Sequence, residues 1–138
     1  IAGEGEQKKE ISKFIKENNL SKNIILLGFI ENIYPYFKNS NGFILTSLWE
    51  DPGFVLVEAG YNNCQVITSN CPNGPREIVN EDGGYIFQSN NSLSFIKSIN
   101  NFLKDSEKSR ISKKIKLKKR FKKFTFFHHS LVLKKILI

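Results

Sequence analysis

Four short apolar runs, Asn23–Gly28, Gly42–Thr46, Gln65–Ser69 and Tyr85–Phe87, constrain the fold most. Each is too short for a buried helix and is bounded by Gly, Asn or Ser, as strands buried in a parallel sheet are. The stretches between them carry helical periodicity. Ile11, Phe14 and Ile15 recur at helical spacing within the charged segment 6–18, which predicts an amphipathic helix over a sheet. Segment 31–38 reads as a short helix with Pro35 near its first turn. Phe95, Ile96, Ile99, Phe102 and Leu103 mark another helix over 93–103. Strands alternating with helices predict an α/β domain with a parallel sheet flanked by helices.

The strand over 42–46 delivers Ser47-Leu48-Trp49-Glu50-Asp51-Pro52-Gly53-Phe54-Val55-Leu56-Val57-Glu58-Ala59 at its C-terminal end, where open α/β sheets bind ligands. Asp51 suits an N-cap, Pro52 the first helical position, and Gly53 leaves the backbone bare. These predict a helix from Asp51. Phe54 to Val57 are apolar on every side, so the helix is expected to be buried, with Glu58 cut off from water. A glycine-bearing helix start accommodates an anion. Glu58 lies about 10 Å beyond Asp51 at roughly 1.5 Å rise per residue. That span fits an extended ligand with a diphosphate at the amides near Gly53 and hydroxyl-rich ends on Glu50 and Glu58, since carboxylates accept hydrogen bonds from diols. The ligand so described is a nucleotide sugar. The loop over 70–74 leads to a helix from Pro75 and converges on the same edge. Arg76 is the only arginine near it, suited to phosphate or to a plain surface position. Gly3 and Gly5 form a Gly-x-Gly, by itself a weak nucleotide-binding signal.

Two glutamates separated by seven residues, Glu50 and Glu58, with Gly53 before the second half and Glu58-Ala59 closing it, resemble the donor-half signature of retaining GT-B glycosyltransferases, group 1. Pro72-Asn73-Gly74-Pro75-Arg76-Glu77-Ile78-Val79 is similar to that family's second glycine-containing loop. Asp51-Pro52 stands where Gly-Phe is common, and one glycine where two are usual. The resemblance covers about residues 1–102 and implies the C-terminal, Rossmann-like half of a GT-B fold. It implies a nucleotide-diphosphate sugar as donor substrate, with no cofactor and no metal, and a sugar or lipid-linked acceptor. Glu50 is then the catalytic-site carboxylate near the anomeric carbon. Gly3, Gly5, Gly53, Phe54, Val55, Glu58, Gly74, Pro75 and Arg76 become the substrate-binding set. Chain opening at Ile1, in what reads as the end of a strand, leads to the expectation of a fragment. The N-terminal Rossmann-like domain, with an Arg and a Lys that neutralise the diphosphate, is the expected missing partner.

Length sets one domain of ordinary size: 138 residues at 40% hydrophobic suffice for one core. Cys64 and Cys71 show no close CxxC spacing, so neither a disulfide framework nor a zinc site is expected and a cytoplasmic setting follows. No leader-like start and no membrane-spanning run is present. Charge is divided unevenly. Residues 104–138 hold 13 Lys/Arg against 2 acids, whereas residues 1–103 hold 8 against 11. The expected organisation is a donor-binding domain over 1–104 and a basic helical tail over 105–138, with Ile111, Ile115, Leu117, Phe121 and Phe124 as its apolar stripe. Such a tail is first a solvated face and second a face for an anionic membrane, which would place the chain peripherally at the inner membrane surface. His128 and His129 lie in it with no carboxylate partner. The rival class is a non-catalytic basic α/β module on nucleic acid or anionic membrane. Nucleic acid is not the expected partner, because the aromatics sit in apolar runs rather than alternating on a sheet face.

Overall fold

The computed structural model describes residues 1–137, and by contacts the chain divides into two compact units, Ile1–Ile33 and Tyr34–Ile138. In the first unit, α1 (Lys8–Glu17) buries Ile15 and leaves Phe14 exposed. The two strands expected here reduce to one parallel bridge between Ala2 and Gly28. Around it the Ile1 amino group donates to Ile25 O (2.7 Å), Leu27 N to Ile1 O (2.8 Å) and Gly3 N to Gly28 O (2.7 Å). Asn23 N and Ile24 N are already committed to Leu20 O in a turn, so pairing starts only at Ile25.

The second unit begins with α2 (Tyr34–Asn39), where Pro35 stands at the second position and interrupts no ladder bond. Then come β1 (Gly42–Leu45), α3 (Val55–Tyr61), β2 (Gln65–Ser69), α4 (Pro75–Gly83), β3 (Tyr85–Phe87), α5 (Ser92–Lys104), α6 (Glu107–Phe121), a 3-10 turn over Lys122–Phe124 and α7 (Phe126–Leu137). The sheet is parallel in the order β1-β2-β3, with Gly42 opposite Gln65 and Ile67 opposite Tyr85. Its crossovers run through α3 and α4, giving the Rossmann-like α/β architecture expected. All of β2 is buried, as a central strand must be. Ile44 in β1 is exposed, which corrects the expectation of a buried strand: β1 has a neighbour on one side only.

Ile67, Tyr85, Phe87 and Phe102 form the core cluster, with Phe95 and Ile99 packed against it. Asn91 caps α5 by accepting from Ser94 N, and Ser106 caps α6 by accepting from Ser109 N. The Asp105 carboxylate between these helices accepts from Tyr85 Oη (2.7 Å) and Ser109 Oγ (2.9 Å). The Tyr85 hydroxyl bond holds the Asp105 carboxyl below its ordinary range.

The expected stripe of α6 is corrected. Leu117 and Phe121 are fully buried, while Ile111 and Ile115 stay exposed. The seam is set by its partners, because α6 packs on α3 and α4 over small residues. A methyl group on Gly60 would stand 2.5 Å from a Phe121 ring carbon and 2.9 Å from a Leu117 methyl. Phe121 also lies 5.2 Å from the Tyr61 ring. Phe121→Ala removes a ring with no exposed surface, and the expected cost is about 3–5 kcal/mol of unfolding free energy, read from denaturant titration.

Both cysteines are free thiols and both are buried. Desolvation pushes the Cys64 thiol up from 9.0 to about 11, with Lys114 acting weakly in the opposite direction. The unfolded thiol therefore ionises first, and stability that is complete below pH 9.0 is lost as pH rises toward about 11. Thermal melting across that interval should fall more steeply for the native chain than for Cys64→Ala. Equal slopes would contradict the desolvated thiol.

Candidate functional site at the C-terminal ends of β1 and β2

Ser47 leaves β1 beside the end of β2, and the two strand ends are joined there. Ser69 Oγ donates to Ser47 O (2.6 Å), and Ser47 Oγ donates to Glu50 Oε1 (2.5 Å). Glu50 is thereby fixed, half-buried, with Oε2 3.2 Å from where a side chain on Gly53 would begin. Gly53 has φ +81°, a left-handed conformation that glycine adopts freely. That conformation explains a correction. The helix does not start at Asp51 with Pro52 in its first turn; α3 begins at Val55, and Ser47 to Phe54 form a loop. Its first bonds run from Leu56 N to Gly53 O (3.0 Å) and from Glu58 N to Phe54 O (3.0 Å).

Burial of α3 is also corrected. Leu56, Ala59 and Gly60, at i, i+3 and i+4, take the covered face, while Val55 and Glu58 are half-buried and Phe54 is exposed. Glu58 thus keeps contact with solvent. From Val55 to Glu58 the helix rises only about 4.5 Å, so the loop supplies the remaining reach between the two glutamates. Among the described residues neither a cation nor a hydrogen-bond donor side chain engages the Glu58 carboxylate.

The second loop reaches the same place. Gly74, buried at φ +134°, caps α4 ahead of Pro75, and a Cβ added to it would overlap the Pro52 carbonyl oxygen. The two motifs therefore touch backbone to backbone. Arg76 follows on the exposed side of α4. A cleft of about 460 Å³ opens there, lined by Asn70, Cys71, Asn73, Arg76, Glu77 and Arg120 among others. Arg120, from the end of α6, was not among the residues expected; it also lies 3.6 Å from Asp82. Ser47 and Ser69 were missed likewise. Glu50, Gly53, Phe54, Val55, Glu58, Gly74, Pro75 and Arg76 all fall within the second unit, around its two loops. Gly3 and Gly5 lie in the first unit, in the exposed loop before α1.

Residues 1–123 match the model of the family described as glycosyl transferases group 1. The chain belongs to that family. It is 40% identical over 79 residues to an uncharacterized glycosyltransferase of Methanocaldococcus jannaschii, covering 57% of this chain and 20% of that one. It is 34% identical over 125 residues, 90% of this chain and 34% of the other, to the N-acetylgalactosamine-N,N'-diacetylbacillosaminyl-diphospho-undecaprenol 4-alpha-N-acetylgalactosaminyltransferase of Campylobacter jejuni. Among solved structures, a Staphylococcus aureus TarM mutant in complex with fondaparinux, alpha-GlcNAc-glycerol and UDP superposes with a TM-score of 0.84 at 21% identity, over 99% of this chain and 27% of that one. The chain spans 20% and 34% of the two curated relatives.

The loop contact yields a test. Gly74→Ala forces a Cβ into the Pro52 carbonyl and a side chain into φ +134°; backbone strain of this kind costs about 1–3 kcal/mol before the clash is counted. A lowered melting temperature and faster proteolysis between residues 48 and 54 are expected. An unchanged melting curve would place the two loops apart.

Proposed function

We propose that this chain is the donor-binding half of a retaining glycosyltransferase, which transfers a sugar from a nucleoside-diphosphate sugar to a sugar or lipid-linked acceptor. The observation that carries it is the pair of glutamates with unlike surroundings at the C-terminal ends of parallel strands, in a chain of the group 1 family. Glu50 is held by Ser47 with one oxygen on the loop side. Glu58 keeps its lone pairs uncommitted, which suits it to accept from the vicinal hydroxyls of a ribose. Between them the amides of Phe54 and Val55, at the start of α3, have no partner a turn earlier in the helix and are placed to donate to phosphate or sugar oxygens. Gly53 and Gly74 let the two loops close on each other, with Pro75 in the second loop and Arg76 beside it.

On this reading the residues act by position. Glu50 orients the sugar hydroxyls near the anomeric carbon, and amide donors stabilise negative charge on the departing diphosphate. UDP in the TarM complex, and the diphospho-undecaprenol and alpha linkage in the name of the Campylobacter relative, support the same donor and acceptor classes.

Glu58→Gln tests the assignment. A hydrogen bond to a charged acceptor is worth about 1.5–3 kcal/mol, so affinity for a nucleoside diphosphate should fall roughly tenfold to a hundredfold in calorimetric titration. Melting should move little, since no cation is stranded by the change. Unchanged affinity together with a large loss of stability would overturn the ribose role.

A further inference from the structure

We infer that Ser47 and Ser69 are positioning residues of the candidate site: a relay of two hydroxyls, running from the end of β2 through the end of β1, sets the Glu50 carboxylate for a sugar. The inference deepens the proposed function and rests on Glu50 meeting the sugar. Ser69 closes β2 with no exposed surface, and its hydroxyl donates to Ser47 O (2.6 Å). Ser47 follows β1, and its own hydroxyl donates to Glu50 Oε1 (2.5 Å). Each serine hydroxyl carries one proton, and both protons are committed to the next member of the relay. The relative placement of two parallel strand ends is thus carried out to one carboxylate.

Glu50 is held from a second side. Gly53 is buried at φ +81°, and a Cβ placed on it would stand 3.2 Å from Glu50 Oε2, 3.3 Å from its Cγ and 3.4 Å from its Cβ. The bare Cα of Gly53 lets the glutamate side chain lie across it, while Ser47 holds the carboxylate end. A free glutamate side chain is flexible and loses that freedom when it engages a ligand. Here the fold has already removed much of it. Oε1 is committed to Ser47, whereas Oε2 accepts from no donor among the described residues. Oε2 is therefore the oxygen left for sugar hydroxyls, and Ser47 decides which oxygen that is. All of these contacts run between one loop and two adjacent strands, so they do not depend on what covers the outer surface. Glu58 stands on α3, outside the relay, which makes binding of the nucleotide part separable from binding of the sugar part.

Calorimetric titration of the whole chain with UDP, UDP-glucose, UDP-galactose and UDP-N-acetylglucosamine tests the relay, with a melting curve for each variant. The quantity read is the affinity for the best-bound sugar nucleotide relative to that for UDP. Ser47→Ala should lower this ratio roughly twofold to tenfold, the cost of ordering one flexible side chain on binding, and leave UDP affinity unchanged. Ser47→Thr restores the hydroxyl and should restore the ratio. Ser69→Ala keeps the Ser47 hydroxyl but frees its carbonyl, and should lower the ratio independently. A serine that only staples the turn would lower the melting temperature of Ser47→Ala and leave the ratio as it was, and that result overturns the inference. Glu50→Ala tests the reading beneath it. If Glu50→Ala lowers the ratio and neither serine variant does, the relay alone is wrong. If none of the three changes it, or the native chain binds no sugar nucleotide, Glu50 does not meet the sugar and both fall.

Discussion

A backbone carbonyl, that of Pro52, occupies the space into which any side chain at position 74 would project, and the organisation of the second unit follows from that contact. Each loop continues from the C-terminal end of a different strand, one from β1 and one from β2. Because the strands are parallel and in register, their ends lie side by side, and the chain needs only a short loop from each to bring them together. Gly74 permits the approach, Gly53 permits the turn that puts Pro52 there, and Ser69 on Ser47 O fastens the strand ends beneath. A larger residue at either glycine would separate the loops at their point of closest contact.

That fastening gives the two carboxylates different chemistry. Glu50 already accepts a hydrogen bond from a side chain of its own loop, so one of its oxygens is directed before any ligand arrives. Glu58 projects from the less covered side of a helix whose other face is closed by Leu56, Ala59 and Gly60. A preoriented carboxylate loses little freedom when it engages a ligand, whereas an unpaired one contributes its full acceptor capacity to whatever hydroxyls reach it. Two glutamates with seven residues between them thus stand in different surroundings.

Elements punctuated by strong local signals were legible in the sequence. β2 was readable from Gln65 to Ser69, and α4 from Gly74-Pro75, because an unbroken apolar run and a proline at a helix start act locally. The start of α3 was not. Asp51-Pro52-Gly53 satisfies the local preferences of a helix cap, yet those residues lie in a loop with a left-handed glycine, whose first residue, Ser47, is bonded by Ser69 from the next strand, 22 positions on. Ser47 and Ser69 carry no motif of their own, and only the sheet register places them together. In the first unit the apolar run near Ile25 reads as a strand, but the turn at Leu20 consumes the amides that would have extended its pairing.

The lysine-rich segment shows the opposite failure, in which composition hides packing. Its charge density reads as solvent-facing, yet Leu117 and Phe121 are among the most completely buried side chains of the chain. An i, i+4 pair of large apolar residues is enough to seat a helix when the opposing surface offers glycines, and Gly60 and Gly83 do. The consequence reaches the candidate site. Phe121 covers α3 from behind at Gly60, and Phe124, three residues on, stands edge-on to Phe54 at 6.2 Å, so both ends of the helix that carries Glu58 rest on the basic segment. Lysines on the outside of α6 and Leu117 and Phe121 on its inside therefore serve different surfaces of one element, and α3 rests on the apolar side.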